Sequence, residues 1–242
     1  MKIPSIEEML KAGVHFGHQK SRWHPKMDQF IFTDRNGVHV INLEKTQEEL
    51  KKVLEIVKQM TSEGKVILFT TTKPHAKEIV KEAAISCGTP YLVDRWIGGM
   101  LTNFTEIQKL IKKYLTYKEE KATGEWERYT KKEALEKQRE LDKMEEYISG
   151  ISTLEKIPDV LFTPTVQQEK TAIVEANRLG VKVVGVCDTN ANPIKVDYVI
   201  PGNDDAMNSI KMMSVLVANA VKEGKVEYEK NQKAQAQPVK AV

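Results

Sequence analysis

The sequence predicts an α/β fold in which a doubly wound, parallel, five-stranded sheet carries an inserted helical arm. Five short apolar runs without polar alternation indicate strands buried on both faces, and segments with helical spacing separate them. A highly charged stretch between the second and third runs indicates the arm. We therefore expect an α/β domain from residues 1–104 and 157–223, an arm from residues 105–156 and a disordered tail from residues 224–242.

The first predicted element is a short helix. Ser5 and Glu8 have the spacing of a capping box, and Gly13 is expected to end the helix. The segment from residue 14 to residue 27 follows, and its pattern fits neither a helix nor a strand. It is rich in histidine, in lysine and arginine, and in aromatic residues, a composition that is unusual for a purely structural segment.

A hairpin is predicted next. The pair Asn36-Gly37 lies between Phe30–Thr33 and Val38–Ile41, two runs rich in β-branched and aromatic residues. An Asn-Gly pair between such runs is typical of a tight β-turn. We expect this hairpin to form an N-terminal extension of the sheet domain.

Strands and helices then alternate along the chain. The helix before the first strand is predicted to begin at Thr46, with Glu49 completing a capping box, and to end at Gly64. The last helix is predicted over Ala206–Val221, with Asp204-Asp205 as its cap. The five predicted strands are Val66–Phe69, Tyr91–Val93, Val160–Phe162, Val181–Val186 and Tyr198–Ile200.

The arm is predicted to be a pair of antiparallel helices that form a coiled coil. Apolar residues recur at helical spacing in its first half and at heptad spacing in its second, and Thr123-Gly124 separates the two halves. Acidic and basic residues are equal in number over the arm. A solvated helix pair without a partner fits this pattern as well as a partner-binding arm does.

Composition limits the classes of protein to which the chain can belong. The net charge of +3 and the pI of about 8.6 permit nucleic-acid binding without requiring it. Cys87 and Cys187 lack a CxxC partner and are expected to be reduced thiols of a cytosolic protein. The N-terminus has glutamates where a signal peptide is apolar, and no run approaches the roughly 20 apolar residues of a membrane span. We therefore expect a cytoplasmic protein with no membrane partner.

The stretch from Arg95 to Asn103 joins the second predicted strand to the arm. Arg95 and Trp96 offer a cation and a large apolar face, and Gly98-Gly99 lets a backbone approach closely. This combination suits a polyanion whose bases can stack. A second interpretation stays open, in which the glycines form a turn, Trp96 lies in the core and Arg95 pairs with Asp94.

Motifs of nucleotide-dependent or hydrolytic catalysis are absent from the sequence. The turn after the first predicted strand, Thr70–Pro74, contains no glycine, and no GxGxxG, GxxxxGKS/T or GxSxG motif occurs. Asp94 and Asp188 follow strands and would form an acid–base pair if they met, but such residues more often cap helices or pair with cations. We therefore expect no catalytic residues, because a fold alone does not imply an activity.

Carboxylates at the strand ends also suggest a metal site. Asp188, Asp204 and Asp205 are expected to converge at the carboxyl edge of the sheet, with a histidine close by. The candidate histidines are His15, His18 and His24. Mixed imidazole and carboxylate ligation suits zinc or magnesium, although we expect no cofactor to be required. The alternative is that Asp204 caps a helix and Asp188 lies in a turn.

Several long motifs, in a characteristic order over about residues 1–225, match one known family. They are Ala12–Gln19, Arg22–Met27, Arg35–Gly37, Arg95–Asn103, Asp188–Asn190 and Ile200–Ala206. On these motifs the chain resembles the bacterial type of the S-two family of small-subunit ribosomal proteins.

The resemblance implies a flavodoxin-like α/β domain with an inserted coiled-coil arm and no enzymatic activity. It further implies a structural constituent of the small ribosomal subunit that supports translation and binds 16S rRNA near the head–body junction. Neighbouring ribosomal proteins, including the S-one protein, are the implied protein partners. A nucleotide-binding enzyme and a free regulatory module that binds through the arm are the competing hypotheses.

The same resemblance assigns RNA-facing roles to the segment His15–Lys26 and to Arg95–Asn103. We expect lysine and arginine side chains to neutralise phosphates and histidines to donate to phosphate or 2′-hydroxyl groups. The tryptophans are expected either to stack on bases or to pack inward. The candidate RNA-binding residues are His15, His18, Lys20, Arg22, Trp23, His24, Lys26, Arg35, Lys73, Arg95, Trp96 and Asn103.

Overall fold

The structure is a computed structural model that describes residues 3–236. Its first element is the short helix α1 (Ile6–Lys11). Its capping box forms as predicted, since Ser5 Oγ accepts from the backbone N–H of Glu8 and the Glu8 carboxylate accepts from the N–H of Ser5. The helix ends just before Gly13, whose φ of 75° lies in the left-handed region that favours glycine.

Three strands after α1 form an antiparallel sheet in the order β1–β3–β2. They are β1 (Phe16–Gln19), β2 (Ile31–Arg35) and β3 (Val38–Ile41). Asn36 and Gly37 connect β2 to β3 with positive φ values of 53° and 77°, the conformation that an Asn-Gly turn requires. Strand β1 is not predicted by the sequence, because its residues show no alternation of their own and obtain their pairing from β3.

The central sheet has five parallel strands in the order β5–β4–β6–β7–β8, which confirms the predicted parallel sheet and is consistent with a doubly wound fold. The strands are β4 (Ile67–Thr70), β5 (Tyr91–Leu92), β6 (Val160–Thr163), β7 (Lys182–Cys187) and β8 (Tyr198–Pro201). Strands β4 and β6 are buried along their whole length. That burial explains why their apolar runs show no alternation.

Helices cover both faces of the central sheet and bury two apolar clusters. They include α2 (Leu43–Ser62), α3 (Lys77–Cys87), α6 (Lys170–Leu179) and α7 (Met207–Ala236). Ile67 and Phe69 of β4 share the first cluster with α2, α3 and α7, whereas Leu68 shares the second with α6. Neighbouring residues of one strand therefore alternate between two cores. Within residues 3–236, no helix is both long and apolar enough to span a membrane.

Two helices have a different capping residue from the one predicted. At α2, Oδ1 of Asn42 accepts two backbone N–H groups at 3.0 and 3.3 Å, whereas the Thr46 hydroxyl donates to the Asn42 carbonyl at 3.1 Å inside the helix. Before α7, Oδ1 of Asn203, rather than Asp204-Asp205, accepts the N–H groups of Asp205 and Ala206 at 2.8 and 3.2 Å. Both sequences offer several capping residues close together, so the pattern alone does not select one.

Helix α7 corrects the predicted boundary between the domain and its tail. The helix continues through Gly224 to Ala236, so residues 224–236 are helical rather than disordered. Residues 237–242 of the predicted tail lie outside the described residues. Gly224 brings α7 close to α2, because a Cβ at this position would lie 1.8 Å from Thr61 Oγ1. Packing on α2 therefore supports α7 at Gly224, the point at which the polar composition of the chain favours disorder.

The arm consists of α4 (Phe104–Ala122) and α5 (Lys131–Ile148), inserted between β5 and β6 as predicted. The ion pairs between these helices include Lys113–Glu140 and Glu120–Lys137. The reversed order of the partners shows that the helices run antiparallel. Apolar residues of both helices belong to the same cluster as Leu161 of β6, so the base of the arm is continuous with the core of the sheet domain. Coiled-coil packing farther along the arm stays a prediction.

Candidate nucleic-acid interface

The N-terminal segment, defined as residues 14–27, is held against the carboxyl edge of the central sheet. The backbone N–H of His18 donates to Thr189 Oγ1 at 2.8 Å, and the backbone N–H of His24 donates to the Thr189 carbonyl at 2.7 Å. Thr189 lies just after the end of β7. The segment is thereby placed where parallel α/β sheets usually bind their ligands.

A glycine permits this close docking. A Cβ at Gly17 would lie 2.6 Å from Cγ2 of Thr189 and 3.0 Å from the carbonyl oxygen of His39. Any larger residue would push β1 away from the loop after β7 or from β3. Gly17 therefore fixes the distance between the N-terminal segment and the sheet.

Exposed cations lie on the docked segment and at the end of β2. Arg22, Lys26 and Arg35 are exposed and form no ion pair with any side chain that the structure describes. Lys20 pairs with Asp34 at 2.8 Å, but both groups are exposed, and water and salt weaken such a pair. The backbone N–H of Lys20 donates to the carbonyl of Gly37 at 2.9 Å, which places Lys20 beside the hairpin turn. Accessible and weakly compensated cations are what phosphate binding requires.

Trp23 and His15 are less accessible than these cations. Trp23 is half-buried, with its ring centre 5.4 Å from that of His39, so it packs inward on at least one side. His15 is also half-buried, and burial lowers its pKa, which favours the neutral imidazole. Its Nδ1 has no hydrogen-bond partner among the described residues. The imidazole of His15 therefore retains an unused ring nitrogen.

His18 lies among the carboxylates that the sequence predicts as metal ligands, and these four residues are the acidic cluster. Its Nδ1 is 3.1 Å from Asp188 Oδ1, and its Nε2 is 3.2 Å from Asp205 Oδ2. Single ligand atoms of His18, Asp188 and Asp204 lie within 4.8 Å of one another. Neither of the other two candidate histidines joins this group in the described part of the chain.

Contacts within the acidic cluster shift the pKa values of its members. The contact with Asp188 raises the pKa of His18, against the lowering effect of burial, and the charges of Asp204 and Asp205 add to the rise. Burial and the nearby charge of Asp188 raise the pKa of Asp204 to about 6, although Lys73 opposes this shift. The cluster therefore favours bound protons or cations near neutral pH.

Lys73 supplies a cation to the acidic cluster from the loop after β4. Its ammonium is 3.0 Å from Asp204 Oδ1 and 2.6 Å from Asp205 Oδ1, and it donates to the Asp204 carbonyl at 2.7 Å. Burial lowers the pKa of Lys73, but the two carboxylates outweigh burial and raise it. The charge of Lys73 is therefore already compensated inside the protein, and its predicted role in neutralising phosphate stays a prediction.

The arm-root loop, defined as residues 95–103, is organised by Glu175 of α6, a carboxylate that no sequence motif indicates. Its Oε1 accepts from Trp96 Nε1 at 3.0 Å and from the N–H of Gly99 at 2.9 Å. Its Oε2 accepts from the N–H groups of Leu101 and Thr102 at 3.1 and 3.3 Å and from the Thr102 hydroxyl at 3.2 Å. One buried carboxylate thereby fixes the loop that leads into the arm.

A weak sequence signal for Glu175 exists. The residue lies in α6 beside the apolar stripe of Ala172, Ile173 and Ala176, where a carboxylate is unusual without a buried partner. The pattern does not reveal the donors, because they lie 73 to 79 residues away along the chain.

Trp96 is placed inside the protein. Only 9% of its surface is exposed, and it belongs to the second apolar cluster together with Met100 and Leu101. Its N–H is also occupied by Glu175. The structure therefore corrects the assignment of Trp96 to base stacking and shows the inward-packed alternative.

Arg95 and Asn103 are exposed at the two ends of the arm-root loop. Asp94 pairs with Lys77 at 3.0 Å, so the alternative pairing of Asp94 with Arg95 is not formed. Arg95 lines a cavity of about 410 Å³ that Tyr147 of the arm also lines. A guanidinium beside an aromatic cavity can bind a phosphate and accept a flat ring.

Comparison with known proteins shows a close relationship to one family. Residues 9–224 match the model of the ribosomal protein S2 family. The small ribosomal subunit protein uS2 of Saccharophagus degradans is 47% identical over 224 residues, which cover 93% of this chain and 91% of the relative. The small ribosomal subunit protein uS2 of Dictyoglomus thermophilum is 44% identical over 220 residues, which cover 91% of this chain and 89% of the relative.

Proposed function

Because the chain belongs to the ribosomal protein S2 family, we propose that it is a structural constituent of the small ribosomal subunit that holds 16S rRNA. Membership makes it a ribosomal protein of the small subunit with a role in translation, rather than an enzyme. The two RNA-binding surfaces are the cations around the N-terminal segment and the exposed ends of the arm-root loop.

The observation that carries this proposal is the accessibility of Arg22 and Lys26 on a segment that backbone hydrogen bonds fix to the sheet, with Arg35 exposed at the end of β2. A net charge of +3 is too small for the protein to bind RNA through the overall charge of its surface. A rigid, local group of cations can still determine orientation on an RNA surface, because phosphate contacts position a protein.

The finer partners are proposed from the resemblance. The protein would bind near the head–body junction of the subunit, on its solvent side, and contact neighbouring proteins that include the S-one protein. The equal numbers of acidic and basic residues on the arm suit a mixed surface of protein and RNA. A cytoplasmic, ribosome-associated location follows from this proposal.

Sedimentation of cell extract tests the proposal directly. Nearly all copies of the protein should travel with the small subunit, and crosslinks in intact subunits should join the N-terminal segment to 16S rRNA. A large free pool would instead favour the regulatory-module hypothesis. The nucleotide-dependent enzyme lacks support, because the family is structural and the turn after β4 has no glycine.

We expect Lys26→Ala to reduce the salt dependence of 16S rRNA binding. Loss of one phosphate contact should lower the slope of log affinity against log salt by about 1, with uniform weakening across RNA sequences. Binding of purified protein to 16S rRNA at several salt concentrations measures this slope.

Lys51→Ala is the matched control for that measurement. Lys51 is an exposed lysine on α2 and belongs to neither proposed surface. An unchanged slope in Lys26→Ala would remove Lys26 from the interface. An equal decrease in both variants would show that binding follows net charge rather than a defined surface.

A zinc or magnesium ion at the acidic cluster is a separate proposal. Its support is the close approach of ligand atoms from His18, Asp188 and Asp204, which lie within 4.8 Å of one another. The ammonium of Lys73 competes with a metal for Asp204. The ligand types fit either metal, but a divalent ion would have to displace Lys73 from part of the cluster.

Metal analysis should show whether a divalent metal ion or the Lys73 ammonium occupies the acidic cluster. If a metal belongs here, Lys73→Met should retain about one equivalent of zinc or magnesium more tightly than the unmodified protein, because the competing ammonium is gone. His18→Ala should retain less than either. Metal well below one equivalent in both the unmodified protein and Lys73→Met would remove the proposal.

A further inference from the structure

Another cavity, separate from the one beside Arg95, lies next to the N-terminal segment at the carboxyl ends of β6 and β7. Its volume is about 310 Å³, within the range of roughly 300–1,000 Å³ typical of ligand pockets. The lining residues are His24, Val166, Gln167, Lys170, Ile173, Asn190, Asn192 and Lys195. Apart from His24, none of them belongs to the RNA-binding residues predicted from the sequence.

The charge of this cavity is uncompensated. Lys170 and Lys195 are exposed, and neither forms an ion pair with a described side chain. No acidic residue lines the cavity. Lys73, by contrast, is bound to two carboxylates of the neighbouring acidic cluster. Two free ammonium groups at the mouth of a cavity favour an anionic ligand.

His24 is oriented toward donating a hydrogen bond. Its backbone N–H is fixed to Thr189, and its Nδ1 accepts from the backbone N–H of Lys26 at 3.2 Å. Because Nδ1 accepts, the neutral ring carries its proton on Nε2. That nitrogen has no hydrogen-bond partner among the described residues, so it is available as a donor to a ligand.

Asn190 adds a requirement that a simple anion does not meet. Its Oδ1 is buried and has no hydrogen-bond partner among the described residues. A buried acceptor without a partner is costly, and a rotation of the Asn190 amide toward the cavity would let a ligand that donates a hydrogen bond relieve that cost. A ribose hydroxyl or the amino group of a base can donate, whereas a phosphate group alone offers mainly acceptors.

We propose that this cavity, the His24–Lys170–Lys195 pocket, holds one nucleotide of a bound RNA strand. The phosphate lies against Lys170 and Lys195 with His24 as a further donor, and a hydroxyl or amino group of the nucleotide donates to Asn190. The buried side chains of Val166 and Ile173 form the apolar wall against which a sugar or base packs. The inference rests on the proposed function, since it adds a nucleotide site to the same RNA-binding edge.

Binding of the full chain to 16S rRNA at several salt concentrations tests the pocket. The double variant Lys170→Ala/Lys195→Ala should weaken binding about 10-fold at moderate salt and lower the salt slope by about 1. Asn190→Ala should weaken binding several-fold without a change of slope, because the lost contact is uncharged. Far-UV circular dichroism and thermal unfolding verify that each variant is folded.

The control is Lys51→Ala/Lys222→Ala, which removes two exposed lysines from α2 and α7 and should leave affinity nearly unchanged. Native affinity in the pocket variants, with Lys26→Ala still lowering the slope, would overturn the pocket and leave the proposed function intact. Failure of the unmodified protein to bind 16S rRNA would overturn the proposed function as well.

A free mononucleotide offers the pocket the same phosphate, hydroxyl and amino groups as a nucleotide within an RNA strand. Titration with adenosine monophosphate, uridine monophosphate and inorganic phosphate, followed by NMR, should show weak binding of the nucleotides and weaker binding of phosphate. Tight, saturable binding of a mononucleotide, with rRNA binding unaffected by Lys170→Ala/Lys195→Ala, would overturn the assignment to an RNA strand.

Discussion

Replacing Glu175 with glutamine should lower the free energy of unfolding by about 3 kcal/mol, because buried donors around the carboxylate would lose their acceptor. Both carboxylate oxygens are used, and together they accept from Trp96, Gly99, Leu101 and Thr102. A glutamine amide replaces one oxygen with an NH₂ group, which cannot accept from these donors. At least two buried donors are then left unsatisfied, at a cost of roughly 1–3 kcal/mol each.

The same variant should change the response of stability to acid. Burial raises the pKa of Glu175, but the hydrogen bonds from Trp96 and the loop backbone outweigh burial and lower it. A carboxylate with a lowered pKa contributes stability that is present above its unfolded pKa, about 4.3, and lost as the pH falls through the folded value. Glu175→Gln lacks this contribution and should lose less stability between neutral pH and pH 3.

Urea unfolding at neutral and acidic pH measures both effects. Glu82→Gln is the control, since Glu82 is an exposed glutamate on α3 and its substitution should change stability by less than about 0.5 kcal/mol. Equal unfolding midpoints for Glu175→Gln and the unmodified protein would mean that the carboxylate does not hold the arm-root loop.

Replacing Gly224 with alanine should destabilise the protein by about 3 kcal/mol, even though alanine is the better helix former by roughly 1 kcal/mol. The added Cβ would lie 1.8 Å from Thr61 Oγ1 and 2.5 Å from the carbonyl oxygen of Lys58. The Thr61 hydroxyl is held by hydrogen bonds to the Val57 and Lys58 carbonyls at 2.9 and 3.0 Å. A backbone carbonyl cannot rotate away, so α2 and α7 must separate.

A double-mutant cycle separates the two sources of this clash. Thr61→Ala removes the hydroxyl, so Gly224→Ala should cost less in a Thr61→Ala background, with the contact to Lys58 still opposing it. Gly98→Ala is the control, because no atom lies within 4 Å of a Cβ at that position. Increased stability of Gly224→Ala in urea unfolding would show that the two helices are not packed this closely.

The strands of the central sheet and the hairpin turn could be predicted because each is determined by residues that are adjacent in the sequence. Strands β4 and β6 are continuous apolar runs, and the Asn36-Gly37 turn is set by two adjacent residues. Strand β1 could not be predicted, since it depends on pairing with β3 rather than on its own pattern. The continuation of α7 through Gly224 was missed for a similar reason, because it depends on a close approach to α2, which is distant along the chain.

In the candidate nucleic-acid interface, too, local sequence patterns could be interpreted, whereas contacts between residues distant along the chain could not. Arg22 and Lys26 lie in a segment whose composition is unusual, whereas Arg35 directly precedes the Asn36-Gly37 turn, and all three are exposed in the structure. Lys73 and Trp96 look equally suitable in the sequence, but partners that are distant along the chain occupy them. Lys73 meets Asp204 across 131 residues, a relationship that no local pattern encodes.

The packing of α2 against α7 also bears on how the chain is made. Helix α2 precedes every strand of the central sheet, whereas α7 is the last described element, and both cover the same apolar cluster. During synthesis that side of the nascent chain stays open until the final helix emerges. Translation that stops before Met207 would thus release a product with an uncovered apolar surface, which chaperones would bind or which would aggregate.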